Sequence, residues 1–278
     1  MSVRAVWLEA QALIEEHGTL RDTARSLANL GMIDDLLNDK ASANKYYRRA
    51  LMIQRSLKDR QGMTRTLLNM AFMALDTGDF TAAKTTADEA MHLIQQSGER
   101  LVEGDALGIL GEIAAKSGDL DEALRRYNDV VAHWRAFGQP QRVVPALGRL
   151  ADARLRIGDS AGARAALVEA LTLNQTLDPP VPVNTILQTA ARMAFAAGDV
   201  ARAYALMRAV GRMANAAWID QAYDADFFAA LETLIAPDAR AALDADLNDT
   251  GVWATTLLNE WKGISWQDDT TKTSTLGR

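Results

Sequence analysis

The chain has 278 residues, a formal net charge of −6, six prolines, eighteen glycines and no cysteine. Lack of cysteine excludes a disulfide framework, a thiolate nucleophile and a Cys-based zinc site, and fits a reducing compartment. The acidic balance argues against a direct nucleic-acid binder, which needs clustered Lys and Arg, and no apolar run approaches the roughly 20 residues that span a bilayer.

The opening segment, MSVRAVWLEAQALIEEHG, is amphipathic and carries acidic residues, unlike a signal peptide, so a cytoplasmic protein without a membrane partner is expected. From there the chain repeats. Asn38-Asp39, Gly78-Asp79, Gly118-Asp119, Gly158-Asp159 and Gly198-Asp199 fall at steps of forty residues, each followed at a fixed distance by Ala43, Ala83, Ala123, Ala163 or Ala203. A period of this size marks an array whose units bury their apolar faces against neighbours.

Each period predicts two helices. The first carries Leu27, Leu67, Leu107, Leu147 or Leu187, then Leu30, Met70, Leu110, Leu150 or Ala190 at i+3, one buried stripe. Directly after come the small residues Gly31, Ala71, Gly111, Ala151 and Ala191, which let a second helix approach closely. The second helix answers with the recurring Ala and, four residues on, Tyr47, Ala87, Tyr127, Leu167 or Met207. Glycine at the turn supplies a left-handed residue, and Asp beside it can cap the next helix.

The order Leu107, Leu110, Gly111, Gly118, Asp119, Ala123, Tyr127 resembles the tetratricopeptide repeat. The resemblance implies an all-α fold, a right-handed superhelical solenoid of antiparallel helix pairs, here with a forty-residue period. The period exceeds the usual 34, and the late proline of the pattern is replaced by Arg55, Gln95, Arg135, Gln175 or Asn215. Six extra residues imply longer helices or longer links; Gly98 and Gly138 favour a loop, and Asp178-Pro179-Pro180-Val181-Pro182 a rigid link before the fifth unit.

The expected organisation is a half-repeat over 1–18, five repeats over 19–218, a degenerate sixth repeat with a capping helix over 219–267, and a flexible tail over 268–278. In the half-repeat Trp7 takes the slot of Tyr47, Ala10 that of Ala50 and Ile14 that of Gln54, so only a second helix is present, as a cap or as a cut from a longer protein. In the sixth unit Phe227 falls in the Leu slot and Pro237-Asp238 in the turn, with a last helix around Trp253 and Trp261. The tail Leu258-Asn259-Glu260-Trp261-Lys262-Gly263-Ile264-Ser265-Trp266-Gln267-Asp268 is similar to the end of bacterial signalling ATPases and LuxR-type transcriptional regulators. That resemblance implies a sensor or regulatory module that binds an inducer or partner.

Catalytic chemistry is not expected. His17, His92 and His133 stand in different units without ligand spacing, no phosphate-binding Gly-x-x-x-x-Gly-Lys loop occurs, and Gly104, Gly108 and Gly111 fit helix packing. No enzyme, cofactor or metal is therefore anticipated.

In tetratricopeptide arrays first helices line the concave face, which points to Arg25, Met32, Arg65, Leu68, Phe72, Asp105, Glu112, Asp152, Arg156, Gln188, Arg192 and Phe195 as a groove for a peptide, a protein segment or a small inducer. Gly108 and Gly148 would open space in it. The competing reading is that Arg65, Glu112, Asp152 and Arg192 only form salt bridges between adjacent first helices. A free-standing scaffold for protein assembly is the alternative function. Seven basic residues between 45 and 65, and eight acidic residues between 220 and 249, are either solvated faces, the two ends of a head-to-tail self-association, or, at the first end, a place for an acidic partner.

Overall fold

The computed structural model describes residues 3–214 and 225–246. All described elements are helices, grouped in two compact units, Met1–His133 and Trp134–Arg278. The first unit holds α1 (Val3–His17), α2 (Leu20–Leu36), α3 (Lys40–Ser56), α4 (Arg60–Asp76), α5 (Phe80–Ser97), α6 (Arg100–Ser117) and most of α7 (Leu120–Ala136). Here α2 pairs with α3 and α4 with α5, while α1, α3 and α5 each also pack on the next first helix, and α2, α4 and α6 stand side by side. The second unit holds α8 (Pro140–Arg156), α9 (Ser160–Asn174), α10 (Asn184–Ala196), α11 (Val200–Ala214), α12 (Ala225–Leu234) and α13 (Pro237–Asp246). In it α8 pairs with α9 and α10 with α11, and α8 lies beside α10.

The extra residues of the long period sit in the helices. From α2 to α8 each helix has 17 or 18 residues. Gly98 and Gly138 do not open a loop: each is a single left-handed residue, φ 69° and 61°, in the same kind of tight link as Gly78 and Gly118. Forty residues therefore contain two near-equal steps of twenty. Asp39, Asp59, Asp79, Asp119, Asp159 and Asp199 each accept a hydrogen bond from the backbone N–H three residues on, at 2.8–3.1 Å. Lys58 fills the slot of Gly98 with φ 54° despite its Cβ, a conformation that costs about 1 kcal/mol or more. Lys58→Gly should therefore raise stability by about 0.5–1 kcal/mol net of glycine's entropy, visible as a higher melting temperature.

Side-chain size is matched across each helix pair. All five recurring alanines, Ala43 to Ala203, have 0 % exposure. A Cβ built on Gly31 would lie 2.7 Å from two ring atoms of Tyr47, and one on Gly111 would lie 2.9 Å from the Tyr127 ring. Where the second helix offers Ala87, the first carries Ala71, and both are fully buried in a core cluster with Leu67, Leu75, Ala83 and Ile94. Glycine thus appears where the partner is tyrosine.

Before α10 the link is as expected non-helical. Residues 175–183 run without helix and include a cis Asp178–Pro179 bond. Asn174 holds this link by accepting from the Val181 N–H at 2.9 Å and donating to its carbonyl at 3.1 Å.

At the first end α1 is tied down by charge. Arg4 grips Asp34 of α2 with Nε at 2.5 Å and a second nitrogen at 3.1 Å, and the Asp34 side chain is fully buried. At the far end the forty-residue register slips. Pro237 opens α13 instead of standing in the turn, which moves that helix three residues early relative to α11, and Phe227 is half-buried whereas Leu231 is fully buried. The helix around Trp253 and Trp261, the regulator-like tail, and Asp220, Asp224 and Asp249 of the acidic cluster lie outside the described residues.

Candidate functional site

On a first helix, the buried positions face the paired second helix and its neighbours, leaving one uncovered stripe. On α2 this stripe is Arg21, Arg25, Asn29, Met32 and Leu36, at offsets 0, 4, 8, 11 and 15. On α4 it is Gln61, Arg65, Asn69, Phe72 and Asp76, and on α6 Leu101, Asp105, Glu112 and Lys116. Because the repeat keeps register, the stripes form rows across the first unit. One row carries Arg25 and Arg65 on α2 and α4 and Asp105 on α6, the next the amides of Asn29 and Asn69, and the next Met32 and Phe72 with Glu112 on α6; Arg21 stands one turn before Arg25 and Leu36 one turn after Met32.

The charges in these rows are unequally engaged. Arg25 is held by Asp22 at 2.9 Å, and Arg21 stands 3.8 Å from Asp59. Arg65 is exposed and has no carboxylate partner among the described residues. At the other end of the stripe Lys40 bridges Asp35 at 2.7 Å and Asp76 at 3.4 Å. Burial disfavours its ammonium, but the two carboxylates outweigh burial and hold its pKa above the ordinary lysine value. Glu112 lies 3.6 Å from Lys116 on its own helix. Met32 is 44 % exposed and Leu36 58 %, so apolar surface is available next to free positive charge.

In the second unit the same stripe is largely self-paired. Asp152 of α8 and Arg192 of α10 meet at 2.5 Å, a bridge between adjacent first helices of the sort the competing sequence reading foresees. Arg156 is exposed, and Phe195 stacks edge-on to Phe227 of α12 with centroids 5.5 Å apart.

Two expected groove residues sit elsewhere. Leu68 and Gln188 are each 7 % exposed, and Leu68 belongs to the core cluster with Ala106 and Ile109. Their shared register position turns toward the adjacent first helix: Gly148, in the same slot, would place a Cβ 3.2 Å from Ile186. Gly148 is therefore a close-packing residue and leaves no gap, and Gly108 is likewise buried. The stripe instead includes Arg21, Asn29, Leu36 and Asn69, which the sequence reading passes over. Their signal was present in the recurrence of Asn at one forty-residue step.

The histidines are not brought together: His17 lies beside Glu16, His92 beside Gln96, and His133 lies 4.0 Å from Glu103. No group of three or more metal-ligating residues occurs among the described residues, and no described helix is long and apolar enough to cross a membrane.

Tetratricopeptide repeat family patterns match residues 24–57, covering α2 and α3, and residues 62–136, covering α4 to α7. The chain is a tetratricopeptide repeat protein. Among solved structures, BtubC from P. vanneervenii shares this fold with a TM-score of 0.61 at 18% identity, over 76% of this chain and 87% of that one. A Rap protein complexed with Competence and Sporulation Factor aligns with a TM-score of 0.57 at 14% identity, over 93% and 71% of the two chains. A signal transduction ATPase with numerous domains and a tetratricopeptide repeat sensor, from Pyrococcus horikoshii, gives 0.62 at 16% identity; 92% of this chain spans 40% of that one. At these identities the likeness extends to the tetratricopeptide fold alone. Comparison with curated protein sequences finds no match.

Proposed function

We propose that this chain is a non-catalytic cytoplasmic binding module that takes a peptide or protein segment on the first-helix stripe of its first unit. The observation that carries this reading is the row order of the stripe: exposed Arg65 beside the amides of Asn29 and Asn69, and exposed Met32 and Leu36 beside Phe72. Such an order suits an extended segment whose carboxylate meets the guanidinium, whose backbone meets the amides and whose apolar side chains lie on the methionine and leucine. The second unit contributes less, since Asp152 and Arg192 satisfy one another.

The module is the sensing part of a bacterial signalling or transcriptional regulator. Support comes from the regulator-like tail sequence and from the Rap protein complexed with Competence and Sporulation Factor and the sensor-bearing ATPase among its fold relatives. Selection of a displayed random 12-residue peptide library on the immobilised chain, followed by calorimetric titration of the winners, tests the binding reading. Enrichment of peptides that join an acidic residue to large apolar ones, with micromolar or tighter affinity, is the expected result. A library that yields no specific binder, or only basic ones, contradicts it.

A further inference from the structure

Along α2 and α4 the stripe changes character from one end to the other. It runs from Arg25 and Arg65, past the amides and the pair Met32 and Phe72, to Asp35 and Asp76 in the last turns of the two helices. A carboxylate in that place opposes the helix dipole, which favours cations at a C-terminus. Two later first helices follow the preference, for the slot of Asp76 holds Lys116 in α6 and Arg156 in α8. Neither α2 nor α4 carries a basic residue in its last turn. The cation comes instead from the start of α3, where Lys40 bridges Asp35 at 2.7 Å and Asp76 at 3.4 Å.

One ammonium therefore serves two carboxylates, and all three side chains keep 15–25 % of their surface in solvent. Carboxylates outnumber the ammonium at this end, beside exposed Leu36, whereas the opposite end presents the exposed guanidinium of Arg65. Arg65 and Asp76 are eleven residues apart on α4, which is about 16 Å of helix. An extended peptide rises about 3.3 Å per residue, so about five residues cover that length. A segment laid across the helices would meet a different order, Arg25, Arg65 and then Asp105, at steps of about 9 Å or three residues.

On the reading of the stripe as a peptide-binding face, we infer that the bound segment is dipolar and lies lengthwise along α2 and α4. Its acidic residue meets Arg65, a basic residue about five positions away meets Asp35 and Asp76, and apolar side chains between them rest on Met32 and Phe72. Charge placed against the helix dipoles at the far end is thereby explained as complementarity to the partner.

Synthetic 12-residue peptides with one Glu and one Arg, set at every separation from one to nine positions in a Leu/Ser background, test this by fluorescence anisotropy on the full chain. Affinity should peak at a separation of about five and exceed that at one or nine by at least about tenfold. At the optimum, Arg→Ala in the peptide and Asp76→Asn in the protein should each weaken binding by about tenfold, and both together by no more than either alone. Asp76→Asn removes a charge that its helix end disfavours, so helicity should be retained, and Asp35→Asn provides a second variant with the same expected pattern. An optimum near three, a flat profile or additive effects of the two changes overturns the inference. Binding of library-selected peptides without this charge register leaves the peptide-binding reading standing and removes the dipolar segment alone; no binding by either set removes both.

Discussion

Gly31→Ala should destabilise the chain by about 1–2 kcal/mol, yet in a Tyr47→Ala background the same change should stabilise it by about 1 kcal/mol. Alanine is the better helix former, so the exposed-helix expectation is a gain of about 1 kcal/mol. In the native chain that gain is overridden, because the new methyl would stand 2.7 Å from the ring of Tyr47, which is 1 % exposed and has no room to retreat. Tyr47→Ala alone removes a buried aromatic and should cost about 3–5 kcal/mol. Once the ring is gone the methyl fills part of the cavity, and the site becomes a copy of the native Ala71 and Ala87 pair. A double-mutant cycle by urea denaturation should therefore give a coupling of about 2–3 kcal/mol, with the sign of the Gly31 effect reversed between backgrounds. If Gly31→Ala shifts the midpoint equally in both, size matching does not set the glycine.

Arg65→Glu should weaken a library-selected acidic peptide by about 30–100-fold, and Met32→Glu by about tenfold, with helical content retained in both. A charge-assisted hydrogen bond is worth about 1.5–3 kcal/mol, and reversal adds repulsion, so two to three kcal/mol is the reasonable loss. Arg65 should dominate over Arg25, since Arg25 is held at 2.9 Å by Asp22 and would have to leave that partner. Met32→Glu acts through lost apolar contact and desolvation, hence the smaller figure. Added salt should weaken wild-type binding and strengthen that of Arg65→Glu, because screening acts on an attraction in the first and on a repulsion in the second. Equal affinities for wild type and Arg65→Glu would remove Arg65 from the site.

Turns and close contacts were legible in the sequence because each rests on a single residue at a fixed step. Asp39 and its repeats must cap, Gly78 and its repeats must take positive φ, and the five recurring alanines must sit where two helices touch. Longer helices could not be told from longer links, since the six added residues carry no breaker and Gly98 serves equally as loop residue or helix cap. Leu68 and Gln188 were misplaced for a different reason. Periodicity gives the angle of a residue around its own helix but not which neighbour stands at that angle, and the adjacent first helix occupies it. Asn29 and Asn69 carry no charge to mark them as ligand groups, and only their recurrence at one forty-residue step on the first helix places them on the stripe. The sixth repeat slipped because the register was extrapolated across residues 215–224, where the forty-residue markers no longer recur.

A peptide seated on the first-helix stripe of the first unit should shield that stripe and leave the second helices accessible. Single cysteines at Asn69 on the stripe and at Met52 on α3, each placed in the otherwise cysteine-free chain, allow a direct comparison. Alkylation rates of the two thiols should be measured with and without a saturating library-selected peptide. At least about tenfold protection is expected at Asn69→Cys and none at Met52→Cys. Protection at Met52→Cys with an unchanged rate at Asn69→Cys would contradict it.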